Sequence, residues 1–437
     1  MRVFALGINL IATMAFGADW PQWMGPNRDA VWSETGVLSK FPEGGPKVLW
    51  RTPIRGGYAG PAVVGGKVYV TDFVTEADFN KAPFDVSPKP GTERVLCLDS
   101  ATGKEIWKHE YPCTYKLSYA CGPRCTPTIH EGKVYSLGAE GDLFCLDAEK
   151  GSVVWSKNFA KEYKAKTPYW GYAGHPLVDG KKLICVVGGS GSTAVAFDKD
   201  TGKEIWKSLD AKNQGYAPPS IIEAGGARQL LVWHGEALEA IDPETGKPLW
   251  NYPLKTYQSM SIMTPQRSGD TLFVGAVFGT SVGLKLASDK PAATESWKIG
   301  NKKGVGLQAC NMTPFVDGDV MYGVDHAGQF RGVEVATGKH LWESWLPVTG
   351  KKESRAVNSA TVFVVKNSDR YFLFNDSGEL LIAKLSKTGY EELGRAKILE
   401  PTGQAFGRNV VWSHPAYADR KAFLRNDKEI VAISLAE

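Results

Sequence analysis

The chain has 437 residues, 43% hydrophobic and 11% aromatic, which is ample for a large core, and 48 glycines, as turn-rich all-β chains require. Its net charge is +4 with the signs well mixed and no basic run, so nucleic acid is not indicated as a partner. Beyond the first residues, no stretch approaches the length of a membrane-spanning helix.

Residues 1–17 read as an export signal. Arg2 supplies a basic end, Phe4 to Phe16 is apolar apart from Asn9 and Thr13, and Ala15-Phe16-Gly17 offers small residues for cleavage before Ala18. The apolar run is too short to span a bilayer comfortably, and no Cys lies near the cleavage site to carry a lipid. A periplasmic or secreted protein is therefore expected. Residues 18–46 form an N-terminal extension that opens Asp19-Trp20-Pro21-Gln22-Trp23-Met24-Gly25-Pro26-Asn27-Arg28-Asp29.

Residues 47–437 are periodic. Asp-x-x-Thr-Gly-Lys-x-x-Trp and its degenerate copies end at Trp107, Trp155, Trp206, Trp250 and Trp342, with weaker copies at Leu286 to Trp297 and Leu385 to Leu393. Successive Trp intervals from Trp107 are 48, 51, 44, 47 and 45 residues, a period that indicates a propeller or solenoid. Each repeat carries four strand signals, in the second Thr126 to His130, Lys133 to Gly138, Asp142 to Asp147 and Val153 to Asn158. First strands recur from Gly60-Pro61 to His414-Pro415, which predicts one all-β domain of eight four-stranded antiparallel blades. The last repeat lacks a fourth strand, and Lys47 to Arg51 supplies one, so an N-terminal strand closes the ring and removes its open edges.

Several residues invite chemistry that the repeat explains away. Asp99, Asp147, Asp198 and Asp242 recur at one turn, where Asp bonds its own downstream backbone. The five motif tryptophans are read as buried scaffold between blades. Gly188-Gly189-Ser190-Gly191-Ser192 precedes no helix and is read as a β-turn. The insertion Val74 to Glu93 is read as an irregular surface loop rather than a cap on the channel. Cys113, Cys121 and Cys125 share one loop, and a Cys113–Cys125 disulfide is expected, with Cys121 as the competing partner.

The repeated motif resembles the tryptophan-docking motifs of the quinoprotein-type, PQQ-like eight-bladed β-propellers, and the opening Asp19 to Asp29 resembles exported bacterial members without assigned chemistry. Dehydrogenases of this kind clamp PQQ under a disulfide of adjacent cysteines and hold Ca²⁺ or a lanthanide with carboxylates and Asn. This sequence has no Cys-Cys pair and no Cys-x-x-Cys-His haem signature. The resemblance thus implies a binding or scaffolding module with no cofactor, no assigned metal and no catalytic residue, whose partner is a protein or a small polar ligand. The alternatives are a quinoprotein-like oxidoreductase using PQQ with Ca²⁺, and a carbohydrate-binding or carbohydrate-active propeller.

The repeat frame also places a site. Loops entering the innermost strands and loops joining second to third strands share one face, and four of the seven histidines lie there: His175, His234, His326 and His414. Arg124, Tyr172, Asn311, Asn358 and Trp412 accompany them, with Tyr58 and Arg355. These are the candidate ligand-binding residues at the channel mouth, and the imidazoles are expected to titrate near 6.5.

Overall fold

The computed structural model describes residues 18–300 and 304–437; the export signal read at 1–17 lies outside them. The expected architecture is there: eight four-stranded antiparallel sheets, the first seven built in chain order from innermost to outermost strand. Blade one runs Ala62–Val64, Lys67–Val74, Lys89–Asp99 and Glu105–Tyr115. Blade eight takes three strands from the C-terminus, and its outer strand is Val48–Pro53, paired antiparallel with Glu429–Ser434. The closure is reinforced by Arg425, which is fully buried and donates to the carbonyls of Thr71 and Arg55 in the first blade.

The nine-residue motif has a mechanical origin. In blade one Cys97 pairs with Trp107 and Leu98 with Glu105, so Ile106 is an extra, unpaired residue. The same bulge recurs in every blade, and it explains why Ile106, Val154 and Ile205 are exposed beside buried tryptophans. The bulge aims the indole at the next blade. Trp107 Nε1 donates to the Ala148 carbonyl (3.0 Å), Trp155 to Lys199 (3.0 Å), Trp206 to Pro243 (3.1 Å) and Trp297 to Val335 (2.9 Å). Trp50 docks on Ser100 in the same way (3.0 Å) and so locks blade eight to blade one. The motif glycine receives the ring: a Cβ on Gly151 would lie 2.5 Å from Trp107, and one on Gly246 would lie 2.8 Å from Trp206. Both glycines also have positive φ, so space and backbone demand the same residue. The repeated Asp serves the turn as read. Asp99 accepts from the backbone N–H groups of Ala101 (3.1 Å) and Thr102 (2.8 Å).

Three blades depart from the rule. Trp250 is half-buried and donates to Gln229 Oε1 within its own blade (2.6 Å), because the receiving turn of blade five, 287–292, has no glycine to lie on. Trp342 is also only half-buried, although it docks on Ser386 (2.8 Å). In blade seven the bulge falls on Leu393 and puts Gly394, not a tryptophan, opposite Ile382. Phe41 of the N-terminal extension fills that place; a Cβ on Gly394 would lie 3.2 Å from its ring.

The expected disulfide does not form, and all seven cysteines are free thiols. Cys113 packs in a cluster with Phe73 and Tyr115, whereas Cys125 belongs to a separate cluster with Tyr135 and Tyr172. Cys121 is spent on the Asp427 carboxylate (2.9 Å). Burial raises the pKa of all three thiols.

The periodicity gives the extension at 18–46 no role; residues 20–32 line the inside of the ring, and Phe41 reaches the outer strand of blade seven. Trp20 exchanges two backbone hydrogen bonds with Val63 on the innermost strand of blade one (2.8 Å each), and the Pro21 carbonyl accepts from Ile129 of blade two (2.8 Å). Trp32 and Ala30 bond Lys366 of blade seven, and Leu38 bonds Leu435 of blade eight. Trp20 and Trp32 are each 1% exposed, so a segment outside the repeat contributes two of the largest buried side chains.

Candidate functional site

The inner-strand entries converge on a cavity of about 260 Å³ at the loop face. Its floor is the N-terminal segment, through Trp20, Trp23, Met24 and Ala30. Its wall is aromatic, with Tyr58, Tyr119, Trp170, Tyr216, Phe363 and Trp412. Phe84 and Phe406 stand at the opening, each 53% exposed. A plugged, ring-lined cavity therefore replaces the wet channel usual in a propeller.

Of the predicted residues, Arg124, His175, Asn311, Trp412 and His414 line this cavity, as does Tyr58. Thr126, at the entry to blade two, ties the two imidazoles together. Its N–H donates to His175 Nδ1 (3.0 Å), and its hydroxyl pairs with His414 Nε2 (2.8 Å). The rings meet edge to face at 5.8 Å, and Trp23 stacks on His175 at 4.9 Å. Arg28 donates to the carbonyls of His175 (3.2 Å) and Pro176 (2.9 Å), which pins the plug to blade three.

Electrostatics correct the expectation of ordinary imidazoles. Burial pushes His414 down to about 3, and burial with the neighbouring His414 and Arg28 holds His175 well below its usual value. Both rings are neutral at physiological pH. Arg124 is engaged rather than free: it donates to the carbonyls of Gly122, Ser118 (3.0 Å) and Tyr119 (2.6 Å), and lies 5.1 Å over the Tyr58 ring. Asn311 takes the Cys310 thiol on Oδ1 (3.5 Å), and its Nδ2 has no partner among the described residues.

The other candidates do not join the cavity. Tyr172 is a core residue whose hydroxyl donates to Val187 O (2.9 Å). His234 is buried, accepts from the Glu236 N–H (3.3 Å) and lies 3.6 Å from Glu239. His326 sits 3.1 Å from Asp325 and packs against Phe278. Asn358 and Arg355 are exposed outside the wall, where the Asn358 carbonyl accepts from Arg408 (3.1 Å). Position on the correct face did not guarantee reach to the axis.

The insertion in blade one caps the cavity, contrary to the surface-loop reading. Phe84 packs edge-on against Tyr119 (5.2 Å), the Pro83 carbonyl accepts from Ser118 Oγ (3.0 Å), and Asn80 donates to Thr402 O (3.2 Å). Two residues of the cavity lining, Tyr119 and Phe406, hold left-handed backbone at φ 52° and 49°, which bulky residues seldom adopt. The three prolines and two phenylalanines of the insertion were the signal for it.

No carboxylate lines the cavity, and among the described residues no three His, Cys, Asp or Glu side chains gather as a metal-ligand set. Among the described residues no helix is long and apolar enough to cross a membrane. A protein-family model described as outer membrane protein assembly factor BamB matches residues 91–263 and 259–436. The chain is similar to an outer membrane protein assembly factor BamB of Shewanella oneidensis, 23% identical over 231 residues, covering 50% of this chain and 56% of the relative. It is also similar to the dehydrogenase subunit of an alcohol dehydrogenase (quinone) of Gluconobacter oxydans, 24% identical over 359 residues, covering 70% of this chain and 43% of the relative. The chain thus spans about half the length of these curated relatives. Among solved structures, a quinohemoprotein alcohol dehydrogenase of Pseudomonas putida aligns with TM-score 0.61 at 13% identity over 96% of this chain and 80% of that one. BamB of Moraxella catarrhalis aligns with TM-score 0.56 at 15% identity over 88% of this chain and 96% of that one. At such identity these two likenesses establish the fold alone.

Proposed function

The chain belongs to the PQQ-like repeat family described as outer membrane protein assembly factor BamB, and from that premise we propose that it is an exported binding module of the bacterial envelope that engages a protein partner without catalysis. One observation carries the reading. The loop face concentrates exposed aromatic side chains, Phe84, Tyr169, Tyr257, Phe278 and Phe406, while the inside of the ring is occupied by the chain's own N-terminal segment. Phe278 is 63% exposed and, like Phe406, holds left-handed backbone. Large exposed rings held at a strained backbone are what a recognition surface uses. The assembly-factor relative supports a protein partner by analogy.

The quinoprotein alternative rests on the dehydrogenase relatives, and the residues here do not fit its cofactor. A metal-held quinone needs a cluster of oxygen donors, and the cavity wall offers Asn311 with no carboxylate beside it. The carbohydrate alternative meets a similar difficulty, since a sugar's many hydroxyls need many polar partners. The test is direct. Purified protein is mixed with PQQ and Ca²⁺, then given ethanol or glucose and an artificial electron-accepting dye. We expect neither tryptophan quenching nor dye reduction. Saturable quenching with substrate-dependent dye reduction would replace the binding reading with the oxidoreductase one.

A further inference from the structure

Below the aromatic rim lies a half-open cavity that a scaffold does not require. Its volume, about 260 Å³, is just under the range of about 300–1,000 Å³ usual for small-molecule pockets, so it suits one or two fused rings. Its charges are all settled. The guanidinium of Arg124 is held by three backbone carbonyls, both histidines are neutral, and no carboxylate is present. A charged ligand would surrender its hydration here and find no counter-ion free to replace it.

Unpartnered polar groups point to a ligand's chemistry: Asn311 Nδ2 and the Tyr119 hydroxyl on the cavity wall are buried without a partner among the described residues, and His175 offers a further donor. Because the Thr126 N–H donates to His175 Nδ1, the ring proton of His175 sits on Nε2, which has no partner among the described residues. Trp23 on one face of that ring and His414 at its edge fix its orientation. His175 is 6% exposed, so the donor is preorganised and largely desolvated. We propose that this cavity is a binding site for an uncharged, ring-bearing small molecule that stacks on its aromatic wall and accepts a hydrogen bond from His175 Nε2. The proposal is independent of whether a protein docks on the rim above.

The probe is 2-acetylnaphthalene, whose carbonyl supplies the acceptor. Matched ions, 2-naphthoate and 2-naphthylmethylammonium, report on charge, and maltose reports on polar ligands. Each is titrated into the full mature chain by calorimetry and tryptophan fluorescence. The expected result is saturable one-to-one binding of 2-acetylnaphthalene, weaker by about tenfold or more for either ion, and no signal with maltose. Ile262→Trp, which fills the cavity from its half-buried wall, is expected to abolish binding at unchanged melting temperature. His175→Phe keeps the stack on Trp23 but removes the donor, and is expected to weaken binding by about five- to tenfold. Absence of saturable binding, tighter binding of an ion, or binding unchanged in folded Ile262→Trp would overturn the proposal; the last readout stands even if His175→Phe fails to fold.

Discussion

At the scale of residues, the same amino acid does different work in different blades, and neighbouring contacts decide which. Trp206 is 7% exposed and docked on the next blade, whereas Trp250 is half-buried and bonded within its own. Trp206→Ala should therefore cost roughly 3–5 kcal/mol, the range for deleting a large buried ring, and Trp250→Ala clearly less. Urea unfolding of the two variants checks the order; equal losses would show that docking is not what stabilises the ring. The histidines give a second prediction, with a defined sign. Folding holds His175 and His414 neutral, so the unfolded chain binds more protons once pH drops below about 6.5, and stability falls with pH from there, for His414 down toward about 3. The buried His414 imidazole should cost about 2 kcal/mol between pH 7.5 and 5, and His175 acts in the same direction. His414→Gln, which cannot titrate, should flatten that slope in urea unfolding at the two pH values. An unchanged slope would mean that the ring is already charged in the folded protein.

At the scale of elements, legibility followed periodicity. The closing strand Val48–Pro53 was readable because the last repeat visibly lacked one, and the turn role of Asp99 and its copies was readable because one explanation covered all four. The plug was not. Residues 18–46 have no repeat, and their only hint was three tryptophans, Trp20, Trp23 and Trp32, in a segment too short to bury them by itself. The cysteine loop misled for a related reason: sequence proximity placed Cys113 and Cys125 near each other, but the strand ending at Tyr115 and the entry to blade two turn them into different clusters. The extension and the closing strand can be separated by truncation. Removing 18–46 should lower the melting temperature and open the cavity floor, while removing 18–54 should abolish cooperative unfolding by freeing the edge of Glu429–Ser434. Calorimetry on both truncations decides this. A chain lacking 18–54 that melts like the full one would contradict the closure.

At the scale of the whole molecule, the ring makes two faces unequal. One carries short turns such as Asp179 to Lys182, where a hairpin closes directly. The other carries the inter-blade loops, the blade-one insertion and the cavity. The sequence frame located that face and six of the eleven side chains named for it, because inner-strand entries must converge on the axis. It missed Tyr119, Trp170, Tyr216 and the floor, since these come from loops or from the extension, where no repeat sets the register. The proposed function places the binding on the loop face. Photo-cross-linking in a bacterial host expressing the chain tests this most directly, with benzoylphenylalanine placed in turn at Tyr257, Phe278 and Phe406, and at Lys181 and Gly318 on the opposite face. The account predicts discrete protein adducts from the three loop-face positions and none from the two controls. Adducts confined to Lys181 and Gly318, or shared equally between the faces, would contradict it.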